Sequence, residues 1–224
     1  MSLILNIDTS GELAQVSFSK DGKVLHYLSN ESQKDHASFL QPGILQLTKI
    51  SGIALKDIDA VAVTAGPGSY TGLRVGMASA KGLCYALKKP LIALNTLEVL
   101  TVSAILLFAD EKKPDRYCPM IDARRMEVFT AIYNKDLDPY LSPRPLILNE
   151  MSFEKDLAAN KILFFGSGSV KWKEVCNHPN AIFEQVPTLP EGMSICSNGM
   201  AIKKQFTDLA YSEPFYLKEF QTLT

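Results

Sequence analysis

The chain opens in short apolar blocks. Residues 3–8 run apolar and close on an aspartate; 13–18 and 24–28 follow, separated by "SKDGK", whose Asp-Gly pair marks a hairpin. The period then changes. In "HASFLQPGILQLTKI" Leu40, Ile44, Leu47 and Ile50 recur at helical spacing, with Pro42 tolerable only near a first turn. "DAVAVTAG" predicts a strand, 71–87 a helix, "PLIALN" another strand and 97–108 a very apolar helix. The first half thus reads as three strands, helix, strand, helix, strand, helix.

The second half repeats that order. "YCPMID" is a strand, "EVFTAIYN" a strand after a tight "ARRM" turn, and "RPLILN" a third. "EMSFEKDLAAN" predicts a helix, "KILFFG" a strand, "SVKWKEVC" a helix, "AIFEQV" a strand and "MSICSNGMAIKKQF" a last helix. Both halves open on a strand ending Ile-Asp plus a small residue, Ile7-Asp8-Thr9 and Ile121-Asp122-Ala123. They share no other evident sequence, so the duplication is one of element order. The polar stretch 110–116, with Pro114, marks the boundary and gives halves at 1–109 and 110–224. The expected fold is α/β, two ribonuclease-H-like halves of the actin/hexokinase/Hsp70 (ASKHA) type facing across a cleft, where that architecture holds a nucleotide.

Composition narrows the classes. Residues are 46% hydrophobic and 21% charged, enough for a packed core, and the formal net charge of −1 gives no bulk attraction for nucleic acid. Paired lysines such as Lys88-Lys89 and Lys203-Lys204 read as solvated corners. Cys84, Cys118, Cys176 and Cys196 lie far apart with no C-x-x-C, as expected of free thiols in a reducing compartment. His26, His36 and His178 show no metal-ligand spacing. "MSLILNIDTS" lacks a basic segment and a cleavage pattern and reads as a first strand, and the longest apolar run is too short to cross a bilayer. A cytoplasmic protein with no membrane contact, no metal and no cofactor is expected.

Candidate chemistry gathers around glycines. "TAGPGSYTGLRVGMASAKG" feeds a helix from a glycine-rich turn, but Gly72 is followed by Leu-Arg, so it is no P-loop, and Gly66 and Gly68 do not fit G-x-G-x-x-G. The turn either meets a phosphate through helix N-terminal N–H groups or is a tight strand-to-helix connection without a ligand. Asp8 could position a magnesium–phosphate complex while Thr9 and Ser10 bond phosphate oxygens; the alternative is a turn carboxylate bonding its own backbone. Asp122 has the same two readings, tipped towards an ion pair with Arg124 or Arg125. Gly166 and Gly168 read as a plain turn, and His36 as a capping or solvated helix-start residue. No nucleophile with a positioned base declares itself.

"ILNIDTS", "HASFLQPGI", "VAVTAGPGSYTGLRVGMASAKGL", "KPLIALNTLEVL", "MIDARRMEVFTAIY" and "EPFYLKEF" together resemble the TsaB (YeaZ) family over nearly the whole chain. That family is the partner subunit of the bacterial machinery that makes threonylcarbamoyladenosine in tRNA. In the catalytic relative TsaD, an asparagine is followed by H-x-x-x-H, and the two histidines ligate a metal. Here Asn95 is kept, but Thr96 and Leu100 stand at the histidine positions, and neither replaces an imidazole.

The resemblance implies a non-catalytic subunit. It would bind and activate a TsaD-like transferase, help recruit a TsaE-like ATPase, self-associate as a homodimer when alone, and meet tRNA only through the complex. The different-class alternative is a stand-alone ASKHA-type enzyme, a small-molecule kinase or an M22-like peptidase. Partner contact is expected on helix faces: Phe39, Leu40 and Ile44 on one helix, and the small-residue stripe Gly72, Gly76, Ser79 and Leu83 on the other. Asp8, Thr9, Ser10, Gly66 and Gly68 remain as weak nucleotide contacts.

Overall fold

The computed structural model describes residues 2–30 and 35–217. By contacts the chain divides into two compact units, Met1–Thr96 with Leu189–Phe215, and Leu97–Thr188 with Tyr216–Thr224.

The first unit is a five-stranded sheet. Strands β1 (Leu3–Asp8), β2 (Gln15–Lys20) and β3 (Lys23–Ser29) form an antiparallel meander, and β4 (Ala60–Gly66) and β5 (Leu91–Asn95) add on in parallel, giving the order β3-β2-β1-β4-β5. The alternation expected of a sheet covered on both sides appears in β1. Leu5 and Ile7 join Val16, Phe18, Val61 and Val63 against helices α1 (His36–Ser51) and α2 (Tyr70–Leu87).

Helix α1 runs through Pro42 rather than starting at it. An interior proline costs about 3 kcal/mol, but Leu40, Ile44 and Leu47 are buried in the core on this helix, and full burial of such side chains is worth roughly 1.5–3 kcal/mol each. Packing outweighs the break.

The other face of the sheet is covered by α6 (Pro190–Ile202), which packs on β1, β2, β3 and β5. That contact is polar. Asn6 donates to the Ser19 hydroxyl at 2.8 Å, and Ser17, Ser194 and Ser197 are buried with it. A strap after α6 then runs along β5: Thr207 pairs with Leu91, and Phe215 N–H donates to the Ala65 carbonyl at 2.6 Å.

The second unit repeats the topology. Strands β6 (Arg116–Asp122), β7 (Glu127–Tyr133) and β8 (Pro139–Ile147) form the meander, with β9 (Ile162–Phe165) and β10 (Ala181–Phe183) parallel, in the order β10-β9-β6-β7-β8. Short helices α4 (Glu154–Leu157) and α5 (Ser169–Lys173) cover one face through an aromatic cluster in which Phe164 and Trp172 stand edge-on at 4.5 Å. Helix α3 (Thr96–Lys112) covers the other, its Leu100 and Ala104 packing on Tyr117, Leu163 and Phe165.

The duplicated α/β fold is thus as expected from the element order. Some bounds differ. Strand β8 begins earlier than the "RPLILN" reading because its prolines sit on an edge strand, where a missing N–H costs no ladder bond. Helices α4 and α5 are shorter, and α6 starts at Pro190, which is suited to a first turn. The contact division also departs from the 1–109 and 110–224 halves. α3 groups with the second unit and α6 with the first, since each helix buries its residues on that unit's sheet. The last residues of the "EPFYLKEF" motif, Lys218, Glu219 and Phe220, lie outside the described residues.

Candidate functional site

Parallel pairing of β1 with β4 sets Ile7 beside Val63, so the two strand ends emerge together. Asp8 ends β1 and is 4% exposed. Its Oδ1 accepts three hydrogen bonds: from Thr64 Oγ1 at 2.8 Å, Ser10 Oγ at 2.7 Å and Ser10 N–H at 3.0 Å. Thr9 Oγ1 donates to the Gly72 carbonyl at 2.7 Å. Ser69 caps α2 by accepting from Gly72 N–H, and its own N–H donates to the Ser10 carbonyl at 2.8 Å.

The expected nucleotide contacts Asp8, Thr9, Ser10, Gly66 and Gly68 therefore do converge, but on one another. A Cβ at Gly68 would run into the Ser10 carbonyl and one at Gly72 into the Thr9 carbonyl. The glycine run lets the β1 loop lie directly on the turn and the first turns of α2. Gly66 is closed over by Phe215, whose carbonyl a Cβ there would meet. This is a tight strand-to-helix turn packed on the β1 loop. His36 completes it: its Nε2 lies 2.9 Å from the Gly11 carbonyl, which makes it a strut between the β1 loop and α1.

The expected partner stripe needs correction. Gly76 faces inward, and a Cβ there would strike Thr9 Oγ1 and touch Val63. Gly72, Leu40 and Ile44 are buried within the unit's own core, while Phe39, Ser79 and Leu83 are half-buried beside it. The small-residue stripe on α2 is legible in the sequence, but a helical wheel does not tell which flank meets the sheet. The flank that stays outside carries Arg74, Ala78, Gly82 and Tyr85, the last 81% exposed, and α1 adds Leu45 and Ile50. Sequence reasoning missed Leu45 and Tyr85, and Ile50, which helical spacing groups with Leu40, Ile44 and Leu47, is exposed instead. A signal existed for Leu45, which is apolar yet out of phase with Leu40, Ile44 and Leu47.

In the second unit Asp122 pairs with Lys171 Nζ at 2.7 Å, not with Arg124 or Arg125. Arg124 contributes only its backbone N–H, at 2.6 Å. Burial disfavours the Asp122 carboxylate, but the hydrogen bonds from Lys171 and Arg124 N–H and the charge of Lys171 outweigh it, and its pKa sits below the ordinary value. Gly166 and Gly168 press on Met120 and Val128 and serve a plain turn.

The Asn95-Thr96 position opens α3. Thr96 is buried, and Leu100 packs with Ala104, Tyr117 and Phe165. Among the described residues no group of three or more His, Cys, Asp or Glu is arranged to hold a metal, and no helix is long and apolar enough to cross a membrane. Cys84, Cys118, Cys176 and Cys196 are free thiols.

Residues 28–213 match the family described as TsaD, tRNA N6-adenosine threonylcarbamoyltransferase. The tRNA threonylcarbamoyladenosine biosynthesis protein TsaB of Bacillus subtilis is 29% identical over 77% of this chain and 74% of its own length. That of Escherichia coli is 34% identical over 59% of this chain; the match spans only 55% of that relative. Among solved structures, a Pseudomonas aeruginosa protein described as similar to the peptidase YEAZ superposes with a TM-score of 0.82 and 27% identity, covering 97% of this chain and 100% of that one. A putative N-acetylmannosamine kinase of Listeria monocytogenes shares the fold alone, with a TM-score of 0.52 and 10% identity over 91% of this chain and 99% of that one.

Proposed function

The chain belongs to the TsaD, tRNA N6-adenosine threonylcarbamoyltransferase family, among its TsaB/YeaZ members, and on that premise we propose that it is a non-catalytic subunit for threonylcarbamoyladenosine formation in tRNA. It binds and activates a TsaD-like transferase, and the pair recruits a TsaE-like ATPase. The observation that carries this reading is Leu100. At the position where the resemblance places a metal-ligating histidine, this side chain is packed in hydrocarbon against Tyr117 and Phe165. The buried Thr96 at the other histidine position supports it.

The exposed flank of α1 and α2 supports the partner surface. Leu45, Ile50 and Tyr85 are 57%, 50% and 81% exposed on helices that contact each other. Large apolar side chains left open in this way are what a partner helix or a second copy of the chain covers. A stand-alone kinase is disfavoured because the N–H groups that open α2 are already used, Ser69 N–H by the Ser10 carbonyl and Gly72 N–H by the Ser69 hydroxyl.

The test is reconstitution with the TsaD-like protein of the same organism. Modification should require both chains, and the isolated chain should contain no stoichiometric zinc or iron. Leu45→Glu with Tyr85→Glu should abolish co-purification and any homodimer while leaving the melting temperature within about 3 °C of the parent, as exposed substitutions do. Modification by the transferase at full rate without this chain would overturn the reading.

A further inference from the structure

We propose that the tip of the β6–β7 hairpin is an anion-binding site that takes backbone phosphates of RNA. Arg124 and Arg125 follow one another in the left-handed region, with φ of 70° and 51°. Long side chains rarely adopt this backbone, and Asn or Gly would hold it with less strain. A strained pair of long side chains persists only where its surroundings fix it, and strain of this kind concentrates at functional positions.

The surroundings do fix it. Lys171 Nζ donates to the Arg125 carbonyl at 2.7 Å, the Glu127 carbonyl at 2.6 Å and Asp122 Oδ1 at 2.7 Å. Asp122 N–H donates to Ser167 Oγ at 3.1 Å. The backbone is pinned from both sides, while both arginine side chains are exposed.

Neither guanidinium has a partner among the described residues, and in this chain that sets them apart. Arg74 lies over the Tyr70 ring, Arg116 pairs with Asp156, and Arg144 donates to the Ser142 carbonyl. Of the acids beside the turn, Asp122 is already engaged by Lys171. Two adjacent unpaired guanidiniums on a rigid turn present planar donor forks matched to phosphate oxygens.

The shape selects the source. A small nucleotide needs a concave pocket, whereas these side chains stand on an exposed hairpin tip. A cavity of roughly 560 Å³ in this unit is lined instead by Glu150, Glu154, Glu174 and their neighbours. An extended phosphodiester chain, which itself passes around a protruding tip, fits better. The choice of RNA rests on the tRNA reading above. With a net charge of −1 the attraction is local and screened within about 8 Å at physiological salt.

The test titrates a fluorescein-labelled, unmodified tRNA transcript with the full chain at two salt concentrations. Arg124→Asn combined with Arg125→Gly removes both charges and the turn strain together. This variant should melt higher than the parent, bind the transcript about ten-fold more weakly at low salt, and show a log K against log[salt] slope shallower by roughly 1.5–2. Arg124→Lys with Arg125→Lys should keep the slope. An unchanged affinity in the Asn-Gly variant overturns the proposal, as does a parent chain that does not bind RNA at low salt. Competition by ATP at matched phosphate concentration overturns the RNA source in favour of a small ligand. Loss of transferase co-purification with tRNA affinity intact overturns it in favour of partner carboxylates. Because co-purification and modification are read separately, failure here leaves the subunit reading standing.

Discussion

Gly76 shows what one missing methyl group permits. Its Cα approaches Thr9 so closely that a Cβ would collide with the hydroxyl that bonds the Gly72 carbonyl. Gly76→Leu should therefore lower the stability of the isolated chain by about 1–3 kcal/mol, as overpacking does, and chemical denaturation of the monomer measures it. An unchanged midpoint would return Gly76 to the surface. The cysteines give a second test at this scale. Burial raises the Cys84 thiol to about 11 against a weaker opposing backbone hydrogen bond, and burial drives Cys118 further in the same direction. Cys176 and Cys196 are only half-buried. Iodoacetamide at pH 8 should modify Cys176 and Cys196 well before Cys84 and Cys118, read by peptide mass spectrometry on folded protein. Early labelling of Cys84 would contradict its placement.

Elements in this fold are held at their ends by single side chains. Lys81 on α2 donates to the Ala210 and Ser212 carbonyls, at 3.2 and 3.0 Å, and so fixes the strap that follows α6. Lys81→Met should speed amide exchange across 207–215 and cost roughly 1.5–3 kcal/mol, the scale of hydrogen bonds to a charged group. Exchange unchanged in that segment would mean that Thr207 and Phe215 hold the strap unaided. The Lys171 latch at the β6–β7 tip is pH-dependent. The Asp122 pKa is lowered on folding, so its contribution is present above the ordinary carboxylate pKa and is lost as pH falls through the lowered value. Amide signals of residues 122–127 should hold steady down to the ordinary carboxylate range and broaden only below it.

At the scale of the molecule, the first unit is completed by a helix that is remote in sequence. Residues 1–109 supply sheet, α1 and α2 but lack α6, which covers the second face of that sheet. Expressed alone, this segment would expose Ile92 and Leu94 of β5, both buried in the full chain. It should be unfolded or aggregated by circular dichroism and light scattering, whereas a circular permutant that joins 189–215 to residues 2–96 should fold. A stably folded 1–109 fragment would show that α6 is dispensable.

What the sequence determined by itself was local. Period-2 and continuous apolar runs located the strands, helical spacing of Leu40, Ile44, Leu47 and Ile50 located α1, and repetition of the element order revealed the duplication. Each follows from patterns within a dozen or so residues, and the residues at Asn95, Thr96 and Leu100 needed no coordinates to be seen to lack imidazoles. Three matters were decided only by tertiary structure, because each depends on which surfaces meet. The α2 wheel offered two faces, and the close approach of the β1 loop chose Gly72 and Gly76 for the inside. Asp122 had two arginines within reach along the chain, but Lys171, far along the chain, took it once α5 had packed against the hairpin. The last helix followed the second half in sequence yet joined the first unit, since the polar seam of Asn6, Ser17 and Ser19 faces its serines. Periodicity records that a residue is buried; only the packed chain fixes what it is buried against.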